Sequence, residues 1–388
     1  MSGKILVQFL ILGCLAFGGP IAHLAWFERT FVERLKWLDH EQLAGLIALC
    51  QALPGPASSQ TAIAIGYLKG GWSGFWLAWL GFSTPPAILM LAAAYGALAL
   101  PDSFRISLTN GMKVAVVSVI AVALWRMARS LIRDRGQVLA ALGYGCVFLA
   151  FPNPWMILLL IALIVLIALR RENVSLADSL GKLTRRSSTR WLIAAIPLCF
   201  IFLHLIHLLI PGPWSALPIA FYQTGLLVFG GGHVVLPLLE SLVVQPGWVS
   251  PEAFLFGYGV AQMIPGPLFT FAAFLGAQFP VAESMRLLAG ILALAAIYLP
   301  SFLLLAILLP RWKAEGPSPQ WQSVLRNLHP LVIGLLLATW INPVLTGAVR
   351  GPLDILVAVG VTFCLIRFQR FTVLIIFATA GLYLTFSL

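Results

Sequence analysis

The chain has 388 residues, of which 60% are hydrophobic and 10% are charged, and its formal net charge is +11. A soluble domain carries about 25% charged residues, so this composition excludes an ordinary soluble protein and indicates an integral membrane protein. The Lys and Arg residues lie mainly in short loops beside apolar stretches, as membrane orientation requires, and we therefore expect no nucleic-acid partner.

Apolar stretches long enough to cross a bilayer, which takes about 20 residues, follow one another along the whole chain. The first half contains six of them, near residues 5–27, 42–68, 72–98, 109–128, 137–151 and 153–170. The second half also contains six, near residues 217–240, 252–278, 284–310, 327–346, 351–366 and 371–388. We predict a first repeat, a basic cytoplasmic linker, an unmatched linking transmembrane helix and a second repeat, in that order, at 1–170, 171–190, 191–210 and 211–388.

Two short motifs occur once in each half, at matching places. Residues 17–20 read Phe-Gly-Gly-Pro, and residues 229–232 read Phe-Gly-Gly-Gly, 212 positions later. Residues 51–56 read Gln-Ala-Leu-Pro-Gly-Pro, and residues 262–267 read Gln-Met-Ile-Pro-Gly-Pro, 211 positions later. Seven apolar stretches precede the second repeat, and because seven is odd, that repeat enters the membrane from the opposite side. The sequence therefore predicts an inverted-topology repeat.

All four motifs lie inside apolar stretches, where glycine and proline break helices. A broken helix exposes backbone N–H and C=O groups that lipid cannot satisfy, so such breaks must line a protected polar cavity. A helix that starts inside the membrane also presents free N–H groups and a partial positive charge, which bind anions. We predict an all-α polytopic membrane protein with two homologous halves as an inverted-topology repeat, and with broken or re-entrant helices at the Gly-Gly-Pro/Gly and Pro-Gly-Pro motifs.

Candidate substrate-binding residues come from the four motifs and the polar side chains beside them. They are Gly18, Gly19, Pro20, His23, Gln51, Pro54, Gly55, Pro56, Ser58, Ser59, Gly230, Gly231, Gly232, His233, Gln262, Pro265, Gly266, Pro267 and Thr270. Each histidine could donate to an oxyanion, respond to pH, cap a break or hydrogen-bond a backbone carbonyl. Lys113 could steer an anion electrostatically or extend to the membrane interface. The alternative for the motifs is that glycine and proline only bend helices for packing.

No combination of residues in the sequence indicates catalysis. There is no Walker A sequence for ATP, and no cluster of His, Cys and Asp residues at catalytic or metal-binding spacing. The five cysteines are scattered through apolar stretches without a CxxC pair, which is typical of small buried side chains. We therefore expect a protein that is not an enzyme and that needs no cofactor and no metal.

The motifs resemble those of the chromate ion transporter family in its long, two-domain form. The resemblance is carried by residues 17–23, 51–57, 229–233 and 262–267, and it extends from residue 5 to about residue 310. It implies export of chromate from the cytoplasm, in a family that also handles sulfate-like oxyanions. The second half departs from the first at two positions. Gly232 stands where the first half has Pro20, and His233 lies two positions earlier than His23 would map.

The predicted function is that of a secondary transporter that exports chromate, and related tetrahedral oxyanions such as sulfate, across the cytoplasmic (inner) membrane by alternating access. The alternatives are an importer of sulfate or another oxyanion, a passive anion channel of the same fold, and a membrane enzyme or assembly factor that acts on a lipid-linked anion. The expected partners are the oxyanion and the lipid bilayer, and a homodimer is compatible with the sequence.

The distribution of Lys and Arg sets the predicted orientation. With the N-terminus in the cytoplasm and re-entrant hairpins at the four motifs, 20 of the 24 Lys and Arg residues lie on the cytoplasmic side. The loop at 28–41 is then cytoplasmic, and the C-terminus lies outside.

Overall fold

A computed structural model of the chain describes residues 2–99, 102–151, 187–228, 235–312, 319–368 and 371–386, together with residues 156, 159–160, 163–164 and 167. Every regular element in these residues is a helix. Four helical stretches among them are long and apolar enough to cross a membrane, at 57–97, 107–131, 283–308 and 326–348. The prediction of an all-α polytopic membrane protein is confirmed.

In the described range up to residue 151, the first repeat contributes the helices α1 Ser2–Leu15, α2 Gly19–Phe27, α3 His40–Ala52, α4 Ala57–Ala99, α5 Asp102–Leu131 and α6 Arg135–Ala150. The linking helix is α7 Ser187–Leu209. The second repeat contributes α8 Pro213–Leu227, α9 Val235–Leu239, α10 Pro251–Met263, α11 Phe271–Ala277, α12 Arg286–Leu308, α13 Pro319–Thr339, α14 Thr346–Ala348, α15 Pro352–Arg367 and α16 Thr372–Phe386. Turns of π-helix follow α2 and α9 directly, at Glu28–Arg34 and Glu240–Val244, and these turns begin at positions 212 residues apart.

The first repeat opens with a re-entrant hairpin. The chain turns at Gly18 and Gly19, whose φ angles of +100° and +75° lie in the left-handed region that glycine adopts without steric cost. The chain then runs back beside α1. This is shown by the contact between Phe31 and Phe9, whose ring centroids lie 4.9 Å apart. Further along the returning chain, the guanidinium of Arg34 donates to the side chain of Gln8. The loop after α2 therefore lies at the same end of the molecule as the start of α1, as a hairpin requires.

The first Pro-Gly-Pro motif forms a second re-entrant hairpin. α3 begins just after Trp37, and the arm of α4 at 57–69 ends with the ammonium of Lys69 only 5.8 Å from the Trp37 ring. α4 then reverses direction at Gly70 and Gly71, where its backbone is not helical, and its second arm covers 72–99. We call this side of the molecule, with Trp37, Lys69 and the turn at 70–71, the Trp37 end.

The second repeat repeats this arrangement. Trp248, which is 211 positions after Trp37, stacks on Phe279 with ring centroids 5.9 Å apart, just before α10 begins. Phe279 follows α11, so the chain again returns to the side from which α10 started. Phe221 of α8 also contacts Phe279, with ring centroids 6.1 Å apart. We call this side, with Trp248 and the turn at 278–285, the Trp248 end.

The two ends lie on opposite sides of the molecule. The side-chain amide of Gln278, at the Trp248 end, donates to the carbonyl of Ala94 over 3.1 Å. Ala94 lies 23 residues beyond the turn at Gly71, which is about 35 Å along a helix. The two repeats therefore enter the molecule from opposite faces, and the inverted-topology repeat is confirmed.

The remaining helices pair across the repeats. Ser118 of α5 donates to the carbonyl of Ala358 in α15 over 2.9 Å, and α13 lies against α6. A Cβ atom added at Gly334 of α13 would lie 2.4 Å from the carbonyl oxygen of Ala141, so the absence of a side chain permits this close approach. Each repeat thus completes its packing with helices from the other repeat.

Candidate functional site

The two Pro-Gly-Pro breaks have closely similar backbones. α3 ends at Ala52 and α10 ends at Met263, and in both cases the next residue is extended. Gly55 and Gly266 then have φ angles of +115° and +94°. Pro56 immediately precedes the first residue of α4 rather than lying within its first turn.

The second break continues differently. Pro267 leads into a short 3₁₀ turn at Leu268–Thr270 before α11 begins. Thr270 is buried, and its hydroxyl donates to the carbonyl of Pro267 over 2.8 Å. The hydroxyl of Thr270 is therefore used within the 3₁₀ turn itself and does not cap α11.

The breaks of the two repeats bind each other crosswise. The amide of Gly55 donates to the carbonyl of Val228 over 2.7 Å, and the amide of Gly266 donates to the carbonyl of Ala16 over 2.9 Å. Val228 and Ala16 are equivalent at an offset of 212, and the two glycines are equivalent at an offset of 211. The contact is thus made twice, as it is at an interface with two-fold symmetry. It brings the Pro-Gly-Pro motif of each repeat to the start of the other repeat's Phe-Gly-Gly motif.

His23 closes the first helix break. The side chain is almost fully buried, and its Nε2 lies 3.0 Å from the carbonyl oxygen of Ala16. A carbonyl only accepts, so Nε2 carries the proton and donates to it. Of the roles that the sequence left open, this is the hydrogen bond to a backbone carbonyl. Nδ1 of His23 is buried and has no hydrogen-bond partner among the described residues.

Polar side chains that follow the first break are buried between the repeats. Ser58, Ser59 and Gln60 are 5%, 1% and 0% exposed. Ser59 Oγ lies 3.0 Å from the hydroxyl oxygen of Tyr298. The amides of residues 57–59 begin α4 and therefore have no acceptor within that helix. Hydroxyl and amide donors thus collect at a helix start that is shielded from lipid by both repeats.

Gln60 joins the first break to the second repeat. Its side-chain amide nitrogen donates to the carbonyl of Pro54 over 2.7 Å and to the hydroxyl of Ser301 over 3.0 Å. Its Oε1 is buried without a partner among the described residues. Gln60, Tyr298 and Ser301 are not among the site residues that the sequence predicts. Two signals for them exist in the sequence. One is the polar run at 57–61, and the other is that Pro300, next to Ser301, matches Pro86 of the first repeat at an offset of 214.

Some predicted site residues lie elsewhere or cannot be placed. Gln51 is exposed in the last turn of α3, whereas Gln262 has a buried side-chain nitrogen without a partner in the described part of the chain. Pro20 lies in the first turn of α2. Four predicted residues lie outside the described residues, and these are Gly230, Gly231, Gly232 and His233.

Lys113 lies away from the breaks. Its side chain is buried, and its ammonium donates to the carboxylate of Glu252 over 3.3 Å. Both residues line a cavity of about 470 Å³ at the Trp248 end. Glu252 is ten residues before Gln262 on α10, which places this cavity about 15 Å from the second break. No group of His, Cys, Asp and Glu residues in the described ranges has the arrangement of a metal site.

Comparison with known proteins identifies relatives over nearly the whole chain. A family model described as "Chromate transporter" matches residues 3–168 and again residues 215–384. The "Chromate transport protein" of Pseudomonas aeruginosa is 26% identical over 393 residues, which cover 98% of this chain and 91% of the relative. That of Cupriavidus metallidurans is 25% identical over 396 residues, with the same coverage of both chains. The "Probable chromate transport protein" of Synechococcus elongatus is 28% identical over 346 residues, which cover 84% of this chain and 81% of the relative. No solved structure matches the chain significantly.

Proposed function

The chain belongs to the chromate transporter family, and from this premise we propose that it is a secondary transporter that exports chromate from the cytoplasm by alternating access. Related tetrahedral oxyanions such as sulfate would be carried by the same site. The observation that carries the proposal is the crossed pair of helix breaks, because two half-helices that start between inverted repeats are the usual setting of a transporter binding site.

The proposed binding site lies where α4 begins. There the N–H groups of residues 57–59 and the hydroxyls of Ser58 and Ser59 offer donors to an oxyanion, and the helix dipole adds a partial positive charge. Lys113, the buried cation described above, pairs with Glu252 at the start of α10, about 15 Å from the second break. A dianion held mainly by dipoles binds modestly, which suits a carrier that must release it.

The membrane potential favours export of a dianion. One elementary charge gains about 2.3 kcal/mol in crossing 100 mV, so a dianion that leaves a negative-inside cell gains about 4.6 kcal/mol. This free energy is enough for a concentration gradient of roughly a thousandfold, and export therefore needs no coupled proton. No ATP-binding sequence is required for the same reason.

The test of this function is counterflow in proteoliposomes. Vesicles loaded with unlabelled chromate should accumulate labelled chromate, because a carrier exchanges one bound anion for another. Sulfate, molybdate and phosphate inside the vesicles rank the exchange partners. A sulfate importer would exchange sulfate in preference to chromate. A passive anion channel would conduct without stoichiometric exchange and would contradict the carrier proposal.

The proposed orientation places the Trp37 end in the cytoplasm and the C-terminus outside. In a variant without native cysteines, Ser284→Cys in the exposed turn at the Trp248 end should react with an impermeant thiol reagent added to intact cells. Arg34→Cys, which is exposed at the Trp37 end, should react only after the membrane is opened. The reverse pattern of labelling would show that the protein is inserted the other way round.

A further inference from the structure

The cavity at the Trp248 end collects polar and charged groups from three parts of the fold. Thr109, Asn110 and Lys113 reach it from α5, Glu252 reaches it from the start of α10, and Arg350 reaches it from the segment before α15. With a volume of about 470 Å³, the cavity has room for a small hydrated anion. The proposed binding site at the breaks uses none of these residues.

The two members of the ion pair in this cavity differ strongly in solvent exposure. The side chain of Lys113 is 5% exposed, whereas that of its partner Glu252 is 61% exposed. A buried ammonium needs a paired anion, because an unpaired buried charge is strongly destabilising. An exposed carboxylate can turn into water at little cost in solvation. Glu252 can therefore leave Lys113 if another anion takes its place.

The charges that line the cavity match a dianion once Glu252 has turned away, because Asp354, which accepts the main-chain amide of Arg350, is not part of the lining. Lys113 and Arg350 then supply two positive charges, and Lys113 has further N–H groups besides the one that it gives to Glu252. In the proposed orientation only four of the 24 Lys and Arg residues lie outside the cytoplasmic side. Two of these four line this one cavity.

We propose that the cavity is a second oxyanion site, in which Lys113 and Arg350 hold a tetrahedral dianion and Glu252 competes with it for the ammonium of Lys113. This inference rests on the proposed transport function, and it places the second site on the outward path of the anion. Glu252 pairs with Lys113 again when the dianion departs, so the carboxylate favours release to the outside.

The first repeat provides a matched control position. Glu41 is equivalent to Glu252 at an offset of 211, and it lies in the first turn of α3 as Glu252 lies in that of α10. Glu41 is exposed and has no ion pair within the described ranges. A change of Glu41 therefore removes the same charge from the equivalent place without freeing a buried ammonium.

The test is equilibrium binding of labelled chromate and labelled sulfate to the purified full-length protein. Glu252→Gln should strengthen binding at the second site about tenfold, because the internal competitor is lost, whereas Glu41→Gln should bind as the wild type does. Arg350→Gln should weaken the second site about tenfold, and the exposed position of Arg350 makes a folding defect unexpected. The double variant Lys113→Gln/Glu252→Gln removes both members of the ion pair and should lose the second site while it keeps the central one.

Size-exclusion chromatography shows whether each variant is folded. Equal binding by Glu252→Gln and Glu41→Gln would overturn the competition, and wild-type binding by the folded double variant would overturn the site itself. A wild-type protein that binds chromate or sulfate in two classes but shows no counterflow would contradict the transport proposal and support the cavity site. Counterflow together with a single class of binding sites in every variant would support the transport proposal and contradict the cavity site.

Discussion

Gly55→Leu and Gly266→Leu should each abolish chromate counterflow while the protein remains in the membrane. Both glycines have positive φ angles, which cost other residues roughly 1–2 kcal/mol. A Cβ atom at position 55 would also lie 2.2 Å from Ser301 Oγ, and one at position 266 would lie 2.7 Å from Pro86 Cγ. These overlaps push the two repeats apart and break the crossed hydrogen bonds. We therefore expect each substitution to destabilise the native packing of the breaks by about 3 kcal/mol or more.

A glycine at the Trp248 end separates the two causes. Gly247 has a φ angle of +82°, but a Cβ atom there would meet nothing within 4 Å. Gly247→Leu should therefore show the backbone strain without the collision and should retain counterflow. The membrane content of all three variants is measured by immunoblotting. Wild-type counterflow in both break variants would remove the substrate site from the Pro-Gly-Pro motifs.

Gln60→Leu should lower the rate of counterflow by more than tenfold. The substitution keeps the approximate volume of the side chain but leaves the carbonyl of Pro54 and the hydroxyl of Ser301 without their donor. Each buried polar group that loses its partner costs about 1–3 kcal/mol, so the break loses the contact that fixes it to α12. The measurement is the initial rate of chromate counterflow, normalised to the amount of reconstituted protein.

A double-mutant cycle with Ser301→Ala tests whether this contact is the cause. The double variant should be less impaired than the sum of the single variants predicts, by about 1 kcal/mol, because both changes remove the same hydrogen bond. Ser118→Ala is the matched control, since it removes a buried hydrogen bond between α5 and α15, at a distance from the breaks. Additive effects of the Gln60 and Ser301 variants would show that their contact does not position the break.

The positions of the repeats and of the helix breaks could be predicted because their signals are local. A glycine such as Gly55 or Gly266, placed between prolines in an apolar stretch, already indicates a left-handed turn. Trp37 and Trp248 also lie at the same distance in sequence before the two Pro-Gly-Pro motifs. In the structure, each ring lies beside the end of its own hairpin. Each motif also divides its apolar stretch into arms that are shorter than the roughly 20 residues a membrane crossing takes, and this is why the sequence favours hairpins.

The groups around the breaks could not be predicted in the same way. Gln60 and Ser301 are 241 residues apart, and nothing in either local sequence indicates that α4 and α12 bring them together. The contact of Lys113 could not be predicted from local sequence either. Its sequence context left electrostatic steering and interfacial extension open, whereas its ion pair with Glu252 depends on how α5 packs against α10. Such contacts are decided by tertiary packing rather than by the periodicity of a segment.

The crossed bonds from Gly55 to Val228 and from Gly266 to Ala16 constrain how this protein arose by gene duplication. Neither half contains the carbonyl that its own Pro-Gly-Pro glycine binds. An ancestor with a single repeat would have needed a second subunit inserted upside down to supply it, and so would have had to adopt both orientations in the membrane. Fusion of two copies through α7 gives each half one fixed orientation. After such a fusion the halves are free to diverge in charge and in loops. The crossed bonds join main-chain groups, so they fix the backbone positions of the four residues, and only the two glycines are restricted in side chain, by their positive φ angles.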